Sequence, residues 1–217
     1  MHTDKFNSYD QRNRRAVQIR QAAYDLITEM PYDDITMTII AKRANVAKGT
    51  VFNYFNSKED IFMAIDLSGY LSFCQRVEHE LTAITIQNKA ELKTFLLAMT
   101  KILTREYSVI VLIHSLRRFT LEAHADPVQT EQGRRQIYEM LTRISKNLLQ
   151  NIPDVTLETV MHTFIIQGAM LNGLLTFMDM NKFNKVNLAS EMTAVEIAVE
   201  TEMCMIFGLY LDKVLDL

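Results

Sequence analysis

Residues 36–61, TMTIIAKRANVAKGTVFNYFNSKEDI, constrain this chain more than any other stretch. Thr36 is placed to cap a helix over about Met37–Ala44, because its hydroxyl can accept a free amide of the first turn. Asn45 falls where that helix must end, and a left-handed backbone is tolerated by Asn better than by most residues with a side chain. Val46 then plugs the angle to a second helix over about Lys48–Tyr54. Ser57 with Asp60 three residues on is the pattern of a further N-terminal cap, opening a third helix. Two short helices across a tight turn make a helix-turn-helix, whose second helix is the element suited to a DNA major groove.

The residues that carry the pattern are Ile40-Ala41, Val46, Lys48-Gly49-Thr50-Val51-Phe52, Tyr54-Phe55 and Ser57-Lys58-Glu59-Asp60. Over roughly residues 12–62 they resemble the DNA-binding motif of TetR-family transcriptional repressors. Beyond that segment the likeness rests on length and an all-helical pattern. Ala47 stands where the family usually has a serine, and Phe52 where it usually has a tyrosine that donates to phosphate. The resemblance leaves those contacts to Lys48, Tyr54 and Lys58.

The chemistry of each position follows. Lys48 can reach a phosphate or a guanine edge, and Gly49 removes a side chain where backbone would meet DNA. Thr50 offers a hydroxyl and a methyl, Asn53 can pair with adenine, and Tyr54 continues that face. Val51 and Phe55 point inward and hold the helix. Lys58 and Thr36, each at a helix start, combine with free amides as phosphate sites. The candidate DNA-binding set is therefore Thr36, Lys48, Gly49, Thr50, Asn53, Tyr54 and Lys58. The alternative is a small helical core with ordinary surface lysines and threonines.

The net charge of −3 looks wrong for such a partner until it is divided along the chain. Residues 11–58 carry eight basic and four acidic side chains, a +4 segment that leaves −7 for the rest. Phosphate attraction needs a local basic face and not a basic protein. Arg12, Arg14 and Arg15 either reach phosphates or are merely solvated.

The remainder reads as helix throughout. Ile19, Ala23, Leu26 and Ile27 define a helix from about Gln11 to Met30, ended by Pro31. A long helix runs from Ser57 to about Leu81, with Gly69 inside it for close packing or local softening. Helices follow over 90–106 and 107–123, where the apolar run 109–113 also allows a buried strand but the period of its flanks favours helix, then from Asp126-Pro127, a cap and a first-turn proline, to about Asn151. Two more span about 155–179 and 188–214. The fold class is all-α: an N-terminal three-helix helix-turn-helix domain over residues 1–57 and a six-helix domain over 58–217. The starting sequence lacks an apolar leader, so a cytoplasmic protein that does not enter membranes is expected. Cys74 and Cys204 lie too far apart for a metal-like spacing and read as free thiols.

The resemblance implies that the second domain binds a small molecule and forms a homodimer through its last two helices. Val195, Val199, Met203, Ile206, Phe207, Tyr210 and Leu211 make a stripe wider than one core needs, and Gly168, Ala169 and Gly173 permit close approach of another backbone. The alternative is one monomeric core. Thirteen Met and eleven Phe, with a few polar groups on apolar helices, allow an adaptable greasy pocket. Its candidate residues are Phe73, Met99, His114, Arg117, Phe119, His162 and Gln167, although each His also reads as a satisfied core residue. No nucleophile–base pairing, metal spacing or phosphate loop appears, so neither an enzyme nor a cofactor is expected. The expected function is a repressor released from double-stranded operator DNA by a small, largely apolar effector. The alternative is a DNA-bound adaptor answering to a protein partner.

Overall fold

The computed structural model describes residues 14–183 and 198–217. Nine α-helices occur among these residues and no strand: α1 Arg14–Glu29, α2 Met37–Arg43, α3 Lys48–Phe52, α4 Lys58–Leu81, α5 Lys89–Glu106, α6 Ser108–Ser115, α7 Pro127–Leu148, α8 Leu157–Phe183 and α9 Val199–Leu215. A 3-10 turn, Tyr32–Asp34, precedes α2, and a π turn, Arg117–Leu121, follows α6. The single helix expected over 107–123 is thus two pieces. The expected start of the last helix at Leu188 lies outside the described residues. No helix among those described is long and apolar enough to cross a membrane.

The chain divides into two compact units. One takes the chain up to Ser72 together with Ile113–Tyr138; the other takes Phe73–Leu112 with Glu139–Leu217. The division at residue 58 expected from the sequence is not where the units part. α4 is one unbroken helix from Lys58 and passes from the first unit to the second between Ser72 and Phe73, while residues 113–138 return to the first.

In the first unit, local signals set the helix ends. The Thr36 hydroxyl accepts from the Ile39 amide at 3.3 Å and caps α2. At the other end Asn45 is left-handed, with φ of 51°. The Val46 amide donates to the Ala41 carbonyl and the Asn45 amide to that of Lys42, the two bonds of a Schellman stop. Ile19, Ala23, Leu26, Ile35, Ile40, Val51, Phe55, Ile61 and Phe62 are buried, so the apolar face of α1 packs where its spacing places it. Val46 is half-buried. α7 comes close to α4, since a Cβ at Gly133 would stand 2.6 Å from Leu67 Cδ1. A larger residue there would require the Leu67 side chain to shift.

In the second unit α9 packs on α5 and α8. Leu92, Phe95, Leu96, Met99 and Leu103 of α5, with Met203, Phe207 and Leu211 of α9, are buried there. Lys93–Asp212 and Arg105–Glu200 ion pairs join α5 to α9 at the surface, where such pairs add little. Both cysteines are free, and burial pushes the Cys74 thiol up to about 12.

Candidate nucleic-acid interface

α3 is only five residues long, and a helix that short is not stable by itself. Packing holds it from behind. Val51 and Phe55 are buried, while Lys48, Gly49, Phe52, Asn53 and Tyr54 are exposed and Thr50 is half-buried. Ala47, its N-cap, has no side chain to offer the first-turn amides. Nothing lies within 4 Å of the place a Gly49 Cβ would take, so no packing inside the chain requires glycine there. Lys48 Nζ sits 5.9 Å from the Phe52 ring centroid, a loose contact on the same outward face. Thr38 and Lys42 of α2 are exposed as well.

Lys58 makes contacts within its own unit. Its ammonium donates to the Tyr32 carbonyl at 3.0 Å and the Ile35 carbonyl at 3.1 Å, and stands 4.0 Å from the Tyr32 ring centroid. Glu59 accepts the Tyr32 hydroxyl at 3.0 Å. Burial first, and the Glu59 charge second, push that hydroxyl well above the ordinary tyrosine range. Asp60 completes the turn: one carboxyl oxygen accepts the Asn56 and Ser57 amides at 3.0 and 3.2 Å, the other the Asp126 amide at 2.7 Å. The Ser57 hydroxyl in return accepts the Asp60 amide at 3.0 Å, closing the capping box.

A family model described as bacterial regulatory proteins of the tetR family matches residues 19–65, which span this whole arrangement. That segment of the chain is similar to the DNA-binding part of this family. The chain is a DNA-binding transcriptional regulator. It is 26% identical over 158 residues to the fatty acid metabolism regulator protein of Bacillus subtilis, over 73% of this chain and 74% of that protein. The fold resembles that of the regulator FadR of Bacillus subtilis in complex with stearoyl-CoA, with a TM-score of 0.59 at 19% identity over 91% of this chain and 96% of that one. It also resembles the TetR-family repressor FadR of Thermus thermophilus in complex with lauroyl-CoA, with a TM-score of 0.50 at 18% identity over 89% and 93%.

The candidate effector residues fall into both units. In the first, His114 Nδ1 lies 3.0 Å from a carboxyl oxygen of Asp66, a fully buried residue, and Arg117 Nη1 lies 3.6 Å from the other. Arg117 also donates to Glu122 at 2.5 Å, and Arg134 pairs with the same carboxylate. Burial pushes the Glu122 carboxyl up, but the Arg134 and Arg117 hydrogen bonds outweigh it and hold the group below its usual range. A buried carboxylate must be paired, and Asp66 takes His114 and Arg117 for that purpose. Phe119 lies in the π turn, and its side chain is outside the described residues. In the second unit Phe73 meets Tyr107 edge to face at 5.4 Å, Met99 is buried, and Gln167 donates to the Thr100 hydroxyl at 2.8 Å. His162 is exposed on α8 and does not join them.

The stripe expected to meet a second copy also divides. Met203, Phe207 and Leu211 are fully buried within their own unit, and Val199 and Tyr210 half-buried. Val195 lies outside the described residues. The large apolar side chains left outward on α9 are Met205, Ile206 and Leu209, the last 66% exposed. On α8 the positions His162, Ile165, Ala169 and Gly173 are among those exposed.

Proposed function

We propose that the chain is an operator-binding repressor, not an enzyme, that acts as a homodimer and is released from DNA by a long-chain fatty acyl-CoA. The observation that carries the DNA reading is the outward face of α3, where an uncapped, exposed Lys48-Gly49 start precedes Thr50, Asn53 and Tyr54 while Val51 and Phe55 anchor the helix behind. Lys48 supplies charge to phosphate, and Thr50 and Asn53 offer hydrogen bonds to base edges. Thr36 and Tyr54 flank that face.

A second copy is supported by the apolar side chains that α8 and α9 leave uncovered. Ile165, Met205 and Leu209 are 64%, 55% and 66% exposed, and Ala169 and Gly173 lie on the same side of α8 as Ile165. Contiguous apolar surface of this kind marks an interface, and small residues allow helices close approach. Two-fold assembly supplies the paired reading heads that a symmetric operator needs.

The effector class is supported by the relatives: one is named a fatty acid metabolism regulator, and two similar folds carry stearoyl-CoA and lauroyl-CoA. The test uses a fluorescent duplex that the protein itself enriches from a randomised pool, titrated with and without stearoyl-CoA. Saturating stearoyl-CoA weakens duplex binding at least tenfold, a coupling of ~1.4 kcal/mol, and the duplex weakens stearoyl-CoA binding by the same factor. Equal affinities in the two arms overturn the acyl-CoA assignment and leave a protein-regulated adaptor; a pool from which nothing is enriched overturns the DNA assignment.

A further inference from the structure

The turn between α2 and α3 closes mostly on itself. The carbonyls of Ile40, Ala41 and Lys42 accept the amides of Ala44, Val46 and Asn45. The carbonyl of Ala44, the C-cap of α2, is met from elsewhere: Gln18 of α1, 26 residues away, donates to it from Nε2 at 2.7 Å. Ala44 is buried and Gln18 half-buried, so removing the donor leaves a poorly hydrated acceptor.

The amide that makes this bond is itself oriented. Arg15 donates from Nη1 to Gln18 Oε1 at 2.8 Å. A guanidinium only donates, so it takes the oxygen end of the amide and leaves the nitrogen end for Ala44. A second tie joins α1 to α2, from Arg43 to the two carboxyl oxygens of Glu29, but it is exposed at both ends, where such pairs contribute little. The two ties also hold different things. The ion pair holds a flexible side chain, whereas Gln18 holds backbone at the residue directly before Asn45, whose φ of 51° swings the chain towards α3. α3 begins at Lys48 and is too short to be stable by itself; Val51 and Phe55 anchor its inner face, and the turn sets its entry.

We propose that Gln18 is a positioning residue for operator recognition: by holding the Ala44 carbonyl it fixes the turn that presents Thr50 and Asn53 to base edges. This rests on the reading that the outward face of α3 meets DNA, which a Thr50→Ala, Asn53→Ala variant tests separately. Hydrogen bonds to base edges need close placement of donor and acceptor, whereas attraction to phosphate does not. A loosened turn therefore weakens binding to the preferred sequence and spares binding to any other.

The experiment measures binding of Gln18→Met, which keeps the side-chain length and removes the donor, to the duplex enriched by the unaltered protein and to an unrelated duplex of equal length. Beside it stand Ile19→Val, which trims a fully buried side chain of the same helix, and Glu29→Ala, which breaks the exposed tie. Denaturation midpoints first establish that each variant is folded and how much stability it has lost. Gln18→Met is expected to lose about tenfold on the enriched duplex, the scale of re-ordering a loosened contact on binding, and no more than about twofold on the unrelated one. Gln18→Glu, of the same shape but without a donor, shows the same selective loss. Ile19→Val and Glu29→Ala keep the ratio between the two duplexes. An equal loss on both duplexes in Gln18→Met, or a selective loss in Ile19→Val at a comparable midpoint, overturns the proposal in favour of a purely structural role. Undiminished binding of Gln18→Met or Gln18→Glu to the enriched duplex overturns it outright. Should Gln18→Met not fold, Gln18→Glu is read against the same outcomes, and failure of both to fold assigns the bond to stability and overturns the proposal. Enrichment of no duplex, or unaltered base preferences in the Thr50→Ala, Asn53→Ala variant, overturns the reading of α3 and the proposal with it. A failure confined to the Gln18 variants overturns the proposal alone.

Discussion

The starts of α3 and α4 stand ten residues apart, and each opens with a lysine, yet they are finished in opposite ways. At α4 every polar side chain of the first turn has a partner inside the unit: Ser57 and Asp60 cap reciprocally, Lys58 and Glu59 hold Tyr32, and Asp60 reaches the Asp126 amide. At α3 the cap position is an alanine, Lys48 is exposed, and open space lies over Gly49. A helix start completed from within gives stability; one left incomplete gives a surface ready for an outside anion. The same division recurs on α9, where Phe207 faces its own unit and Leu209 faces away.

That contrast can be broken in order of size. Phe207→Glu places an unpaired charge in a site of 0% exposure and removes a large apolar group, so a loss above about 4 kcal/mol is expected and the variant should not fold. Met205→Glu with Leu209→Glu should leave helical content intact and yield a monomer by light scattering, because those side chains are outward. A stable dimer of the double variant would show that α9 is not the contact. Asp60→Ala removes the acceptor of three amides and one capping partner, an expected loss of about 3 kcal/mol in chemical unfolding. Lys48→Ala should instead shift stability by less than about 0.5 kcal/mol, since it breaks nothing buried. Comparable losses in the two would erase the contrast. The smallest effect is Ala47→Ser, which should supply the missing cap of α3 and stabilise by about 0.5–1 kcal/mol, seen as a shifted denaturation midpoint.

What the sequence made legible was local. Thr36, Asn45, Ser57 and Asp126 signal helix ends through bonds that span three to five residues, and all four act as read. Relations across long separations were not legible. The carbonyls that take Lys58 are 26 and 23 residues away, and nothing near Lys58 distinguishes an inward lysine from an outward one. Asp66 sits unremarked in an apolar run because its partner His114 is 48 residues distant. The π turn after α6 carries neither Gly nor Pro to announce it. Periodicity on α9 marks apolar positions but gives no sign of which copy of the chain covers them, so Phe207 and Leu209 look alike until their surroundings are known.

The central claim is that the outward face of α3 reads DNA. The direct measurement is selection from a randomised duplex pool by the unaltered protein and by a Thr50→Ala, Asn53→Ala variant. The account predicts that the unaltered protein enriches a two-fold symmetric sequence, with half-sites one helical turn, ~34–36 Å, or a multiple apart. It predicts that the variant, still folded and still salt-sensitive in its binding, loses or changes the preferred bases within each half-site. Enrichment of the same sequence to the same degree by both proteins, or of none by either, would contradict it.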